Sequence, residues 1–463
     1  MESMNDWTER LVEKTTRPIT KTGKWYWVWV AFLVAVLGWG FYAYTLQLRD
    51  GLIRTAMRDR PSWGLYISTF VFFIGISHAG TLISAILRVS HATWRAPVTR
   101  MAEIITAVSL IVGALFVIID MGRPDRLQYV FLHGRWQSPI LWDATAVTTY
   151  LTASILYLYT PMIPDLALFR DRLKGKVGRL REWFYRTAAL DWSGKPEQRR
   201  AQHRGITVLM IIIIPIAVSV HTVVSWIFAM TLRAPWNTTL FGVVFVAGAI
   251  FSGVATLVII MTVLRRVFHW EEYITKKHYL NLGYFLAAFS AIMVYLNVTE
   301  YMVTGYKLEN GEGFTIQQLF AGRFATLFWF YLMFGLAVPV LIMVFPKTRT
   351  IPGVIVAAVL IDVTMFIERY LIVVAGLRVP LMPYEPVNYF PSWVEWSIFA
   401  GGLALFALLV SVAVKVLPMQ AVGEMVEEHE EHVANEVGVS LVRDKGFDLA
   451  VASAGVATEG SAL

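Results

Sequence analysis

Ten runs of about twenty or more mostly apolar residues dominate this chain, and they leave few folds open to it. A run of that length crosses the roughly 30 Å hydrocarbon core of a bilayer as a helix. Backbone polar groups have no water to bond there, so each run has to satisfy them internally. The runs are 25–47, 62–89, 97–120, 138–161, 205–232, 240–265, 277–305, 323–346, 351–376 and 392–416. Composition agrees: 16% of the 463 residues are charged, where a soluble domain carries about a quarter. The expected class is an all-α integral membrane protein of about ten transmembrane helices.

An even number of crossings puts both termini on one side. Lys and Arg on that side (Arg10, Lys14, Arg88, Arg95, the many in 162–204, Arg265, Arg266, Lys347) outnumber those opposite by more than two to one. The positive-inside rule then makes the termini cytoplasmic; the expected location is a bacterial inner membrane. The net charge of +7 is explained by this asymmetry and by lipid, with no nucleic-acid partner. The expected divisions are a cytoplasmic N-terminal segment 1–24, helices one to four over 25–161, a basic cytoplasmic loop 162–204, helices five to ten over 205–416, and a disordered tail 417–463. The basic loop, with Trp183, Phe184 and Tyr185, reads equally as an interfacial amphipathic helix or a solvated loop.

Helix two contains Gly75-Ile76-Ser77-His78-Ala79-Gly80 and helix six Gly248-Ala249-Ile250-Phe251-Ser252-Gly253. The glycine spacing is the same, four helices apart. Close packing of small residues explains it. So does a duplicated four-helix unit, giving two four-helix bundles (helices 2–5 and 6–9) plus flanking helices.

Ionisable residues within the runs are few, and such residues mark sites by default. Asp120 and Asp143 flank a short loop carrying Arg123. His221, Glu300, Glu368 and Arg369 fall toward the same outer face, with Trp142 and Trp226 beside the acids. His78 and Asp362 lie deeper, and Glu103 near the cytoplasmic end. Thr81 and Ser84 share the face of His78 and extend a polar trail inward. Structural alternatives stand beside each: Glu103 solvated, or paired with Arg100 or another basic residue, and Glu368 and Arg369 each tied to a separate partner, being about 100° apart. Counting about 1.5 Å per residue separates His78 and His221 by a helical turn or more, which argues against bis-histidine haem. The chain has no Cys, so it offers no thiolate for an iron–sulfur cluster. No metal motif occurs.

Several strings are familiar: Ile76-Ser77-His78-Ala79-Gly80-Thr81-Leu82-Ile83-Ser84-Ala85-Ile86-Leu87, Asp120-Met121-Gly122-Arg123-Pro124, Ser138-Pro139-Ile140-Leu141-Trp142-Asp143, Ile163-Pro164-Asp165-Leu166-Ala167, Val220-His221-Thr222-Val223-Val224-Ser225-Trp226 and Phe366-Ile367-Glu368-Arg369. From helix two to helix nine the chain resembles the NrfD/PsrC family of membrane subunits, most of all the ActC-type subunit of alternative complex III. The resemblance implies a quinol site (menaquinol) near the periplasmic face. It also implies an iron–sulfur partner subunit on that face, multihaem cytochrome c subunits and a second NrfD-like membrane subunit. The chain departs from the ActC pattern at Asp120, where His is usual, at Ile227, which replaces an acid, and at Trp236-Asn237-Thr238-Thr239.

The expected function is quinol oxidation within a respiratory or photosynthetic complex, with proton translocation left open. Asp143, Asp120 and His221 are the expected catalytic groups, with Arg123, Trp142 and Trp226 adding to the quinone site. His78, Thr81, Ser84, Glu103, Glu300, Asp362, Glu368 and Arg369 are the proton-route candidates. The alternatives are another NrfD-type reductase subunit, a secondary transporter, and a passive anchor.

Overall fold

The computed structural model describes residues 4–436 except His91, Thr93, Asn310 and 380–384, together with an antiparallel strand pair in the tail, Leu441–Arg443 and Leu449–Val451. Among the described residues, nine helices are long and apolar enough to cross a membrane. They include α2 (Lys24–Asp50), α4 (Ala96–Asp120), α5 (Pro139–Arg172), α7 (Pro196–Ala229), α8 (Phe241–Phe268), α9 (Lys276–Lys307), α12 (Ile351–Arg378) and α13 (Trp393–Val416). The ninth, α11, spans Ala325–Val344, with a π-helical stretch at Tyr331–Ala337. A tenth rod, α3, is Leu65–His78, a π-helical turn Ala79–Ile83 and Ser84–Val89. The π turn begins right after His78. It brings Gly80 so close to α4 that a Cβ there would collide with the Ala102 carbonyl and the Thr106 hydroxyl. Such π turns collect at functional positions.

Shorter helices among the described residues include α1 (Met4–Thr20), α6 (Arg179–Ala188), α10 (Glu312–Phe320) and α14 (Val422–Glu436). They add helix to three of the expected divisions. The N-terminal segment forms α1, which buries Leu11, Val12 and Ile19. The stretch 162–204 is mostly helix, because α5 continues to Arg172 through Pro161 and Pro164, α6 lies within it, and α7 starts at Pro196. Pro196 suits the first turn of a helix, where its missing N–H leaves no bond unmade. The tail begins with an ordered helix, α14. Its Glu residues made 424–431 look solvated in sequence, but Glu424 has basic partners on the bundle.

The transmembrane helices form two four-helix bundles, α3–α4–α5–α7 and α8–α9–α11–α12, with α2 and α13 flanking. Lipid is as apolar as the side chains, so close packing and hydrogen bonds hold the helices together. Gly40 of α2 meets Gly401 of α13, where a Cβ would lie 2.9 Å from the Gly401 Cα. The Trp39 indole donates to the Ser397 hydroxyl at 3.0 Å across the same pair. The bundles meet where α3 packs on α8. There the repeated small residues face one another, a Cβ on Gly75 falling 3.3 Å from the Ser252 hydroxyl. The second sequence glycine, Gly248, makes room for Arg369: a Cβ would lie 2.5 Å from its Nη2.

Candidate functional site: a buried polar file in the first bundle

The first bundle builds its site on one stripe of α5. Asp143, Val147, Tyr150, Ser154 and Tyr157 are all buried and recur at three- and four-residue steps, one helical face. Asp143 stands about 10 Å from Tyr150 along that face. It lies one turn inside the helix start, behind Pro139, with its Oδ1 free of any hydrogen-bond partner. Trp142 and Trp226 meet edge to face beside it, with ring centroids 6.4 Å apart.

Deeper in the bundle, His78 and His221 are in contact. Their ring centroids are 3.7 Å apart at a 60° tilt, and neither ring is more than 1% exposed. The His78 Nε2 lies 2.5 Å from the Ala217 carbonyl oxygen. A carbonyl only accepts, so that nitrogen carries the proton and Nδ1 is left with a lone pair. The Nδ1 atoms of both histidines are without partners. Tyr150 lies against His78, with centroids 5.4 Å apart, and donates to the Ser77 carbonyl at 3.0 Å. Thr106 donates to the same carbonyl at 2.7 Å.

The polar groups continue toward the face that carries the termini. The Tyr157 hydroxyl is 3.3 Å from Ser84 Oγ, Ser84 donates to Glu103 Oε1 at 2.7 Å, and Arg88 lies 3.3 Å from the same oxygen. Beside them Arg100 holds Asp165 at 3.0 Å. The whole is a file of buried polar side chains from Asp143 near one face to Glu103 near the other. Thr81 lies in the π turn, and its side chain is outside the described residues.

The contact between the histidines corrects the depth count. His78 is about 20 Å along α3 from Leu65, and His221 about 12 Å back from Ala229. Contact therefore requires that the two helix ends are not level, and counting from ends assumes they are. At 3.7 Å there is no space for an iron and porphyrin plane between the rings, so the pair does not fit bis-histidine haem. Glu103 is buried and pairs with a basic residue other than Arg100: it is held by Arg88 and Ser84, while Arg100 pairs with Asp165. One further expectation changes. Glu368 and Arg369 do not take separate partners: Nη1 lies 3.0 Å from Oε2, in an orientation that makes no hydrogen bond. Their stems diverge by about 100°, but both side chains are long enough to fold back.

The other expected residues are dispersed. Arg123 sits in the exposed loop and clamps Asp125 through two hydrogen bonds of 3.0 Å. That clamp holds the Asp125 carboxyl below the ordinary carboxylate range. Asp120 ends α4 with its Oδ1 unpartnered. Close by, Gln47 donates to the Ile119 carbonyl and accepts from Tyr66. No hydrogen bond or ion pair among the described residues joins Asp120, Arg123 and Asp143. In the second bundle Asp362 accepts from Thr256 at 2.9 Å, and Arg369 stacks on Phe245 at 4.8 Å. Glu300 and Glu368 line a cavity of about 100 Å³ with Asn297, Tyr301, Glu312 and Tyr331.

Sequence reasoning passed over Tyr150, Tyr157, Arg88 and Glu395. The stripe through Tyr150 and Tyr157 was present as a seven-residue repeat with Asp143. Glu395 was visible as a Ser-x-x-Glu capping box with Ser392. In the structure it is fully buried, and it accepts from Tyr389 at 2.5 Å and from the Ala56 amide at 2.7 Å.

Residues 54–380 match the family model described as Polysulphide reductase, NrfD. The chain is 28% identical to a putative dimethyl sulfoxide reductase membrane subunit of Halobacterium salinarum, over 85% of this chain and 91% of that protein. It is 24% identical to a selenate reductase subunit of Mesobacillus selenatarsenatis, over 88% and 97%. It is 25% identical to the integral membrane subunit of menaquinone reductase of Nitratidesulfovibrio vulgaris, over 85% and 91%. With a match covering well over half of its length, and a fold of long apolar helices in two bundles, the chain belongs to the NrfD family of polysulphide reductase membrane subunits.

Proposed function

We propose that this chain is the quinol-oxidising membrane subunit of a multi-subunit oxidoreductase, with its quinone site at the Asp143 end of the first bundle. The observation that carries the proposal is the succession of buried polar groups leading away from an unpartnered carboxylate. Bound quinol supplies two electrons and two protons. Asp143 offers a free oxygen to a head-group hydroxyl and is the first proton acceptor. Trp142 and Trp226 border the entrance with flat apolar surfaces. His221 and His78 lie deeper with two open nitrogens, and hold protons between Asp143 and the Ser84–Glu103 pair. Asp120, also with a free oxygen, stands at the rim. Arg123, exposed and clamped to Asp125, belongs to the partner's side of the site.

Without cysteine, this chain has no thiolate for a cluster, so electrons leave to an iron–sulfur subunit docked on the Asp120–Asp143 loop. That face is periplasmic, and the termini are cytoplasmic. Menaquinol fits the relative named as a menaquinone reductase subunit. Multihaem cytochrome subunits and a second NrfD-like subunit, as in alternative complex III, are the finer form of this proposal. A complex of the dimethyl sulfoxide or selenate reductase kind is the second form, favoured by the relatives that carry those names.

Purification of the intact complex from its native membrane tests the proposal. An iron–sulfur subunit and bound quinone should accompany the chain, and the complex should oxidise a menaquinol analogue. Isolation of the chain with neither partner nor quinone would contradict it.

A further inference from the structure

The terminus-side end of the polar file is not closed by a transmembrane helix. It is closed by α14. Glu424 of α14 lies 2.7 Å from Arg88 and also pairs with Arg95. Arg88 in turn reaches Glu103 at 3.3 Å. One guanidinium therefore bridges the last buried carboxylate of the file and a carboxylate of the tail. A second attachment adjoins it: the Gly423 amide donates to Asp165 Oδ1 at 3.1 Å, while the other Asp165 oxygen accepts from Arg100 at 3.0 Å. In a third, His429 stacks on Trp7 of α1, with centroids 4.1 Å apart.

These attachments are mostly polar. Among the described side chains of α14, Val422 and Met425 join the buried apolar core and Val426 packs against it. The helix can leave as a unit without unpacking the bundle beneath, which is the behaviour of a low-stability element on a stable scaffold. With α14 in place the Glu103 side chain is 1% exposed and Glu424 15%. The charged and titratable groups facing this junction are Arg88, Arg95, Arg100, Tyr157, Asp165 and Glu428.

We propose that α14 is a gate on the file. Docked, Glu424 draws Arg88 over Glu103 and keeps water away. Released, α14 leaves Glu103 open to exchange protons with the terminus-side solvent. The gate rests on the file being the proton route assigned under Proposed function. Arg88 and Glu424 are positioning residues here: they act through Glu103.

The absence of cysteine makes the test clean. Trp7→Cys with His429→Cys gives the chain two thiols on facing helices. In the purified complex, a short reversible bis-thiosulfonate reagent then ties α14 to α1. The gate predicts that tying lowers quinol oxidation about tenfold, that reduction restores it, and that carbodiimide labelling of Glu103, read by mass spectrometry, falls in parallel. The unsubstituted complex treated with the same reagent is the control. In a second arm, Glu424→Gln raises Glu103 labelling about tenfold and Glu424→Asp restores the slow rate. Unchanged turnover and labelling in the tied complex, or Glu424→Gln labelling no faster than the native chain, overturns the gate. A complex that oxidises no quinol in any form counts against the functional proposal instead, and the labelling arm still decides the gate.

Discussion

The two bundles share an architecture and differ in how their polar groups are joined. In the first, buried groups succeed one another from Asp143 to Glu103, with two histidines in contact midway. In the second, Asp362 is satisfied by Thr256 alone, and Glu300 and Glu368 face a separate cavity. The proposed proton route rests on that difference. Low exposure is common to both bundles, but in the first the polar groups from the histidine pair to Glu103 follow one another on facing helices. In the second, Arg369 lies against Glu368 and Phe245.

The largest expected effect falls on the histidine pair. His221→Ala or His78→Ala should lower quinol turnover by about 10²-fold or more, the range for a lost acid–base group. Glu300→Gln and Glu368→Gln should leave it within about threefold. A reversal of that order would move the proton route to the second bundle.

Stability separates the bundles next. Arg100→Ala leaves Asp165 buried and unpaired, and should cost about 3–5 kcal/mol, read as loss of thermal stability of the complex in detergent. Gly248→Ala should cost less, about 1 kcal/mol, because the new methyl meets the tip of the long Arg369 side chain, which is buried but flexible. If Gly248→Ala proves neutral, Arg369 is not held where the bundle comparison puts it.

The tail gives a pH-dependent effect. Burial alone would push the Glu424 carboxyl up, but the Arg88, Arg95 and Arg100 charges hold it at about 2. A carboxyl depressed on docking contributes its full stabilisation above its free value, near 4.5. That contribution is lost as the pH falls from there through about 2. Cross-linking of the Trp7→Cys, His429→Cys pair, taken relative to the reaction of each single cysteine with the same reagent at the same pH so that thiol ionisation cancels, should therefore be constant above about pH 5 and weaken below it. The smallest effect belongs to Arg123→Ala. Its pair with Asp125 is exposed, so the thermal stability of the isolated chain should not change measurably, and any loss of turnover in the complex reports on the docked partner.

Much of the fold was legible in sequence because the bilayer restricts what an apolar run can do. The apolar rods and a duplicated four-helix unit were foreseeable, and α6 was one of two readings of the basic loop. The contact between positions 75 and 252 was not. Polar helices such as α1 and α14 carry no length signal of their own; α14 is held by Arg88 and Arg95 of the bundle beneath. At the site, Asp143, His78 and His221 were legible as costly residues in hydrocarbon. Their mutual distances were not, since these depend on unlevel helix ends and on the π turn after His78. Tyr150 and Tyr157 escaped because a tyrosine in an apolar run costs little and draws no attention until its stripe is traced.

The central claim is that Asp143 opens a proton-carrying file at the quinone site. It is tested most directly by steady-state quinol oxidation in the purified complex bearing Asp143→Asn, with quinone affinity measured alongside. Asparagine keeps the shape of the side chain but accepts no proton, so kcat should fall by about 10²-fold while the complex stays assembled. Normal turnover with normal quinone affinity would contradict the claim and leave this chain as an anchor for redox subunits elsewhere in the complex.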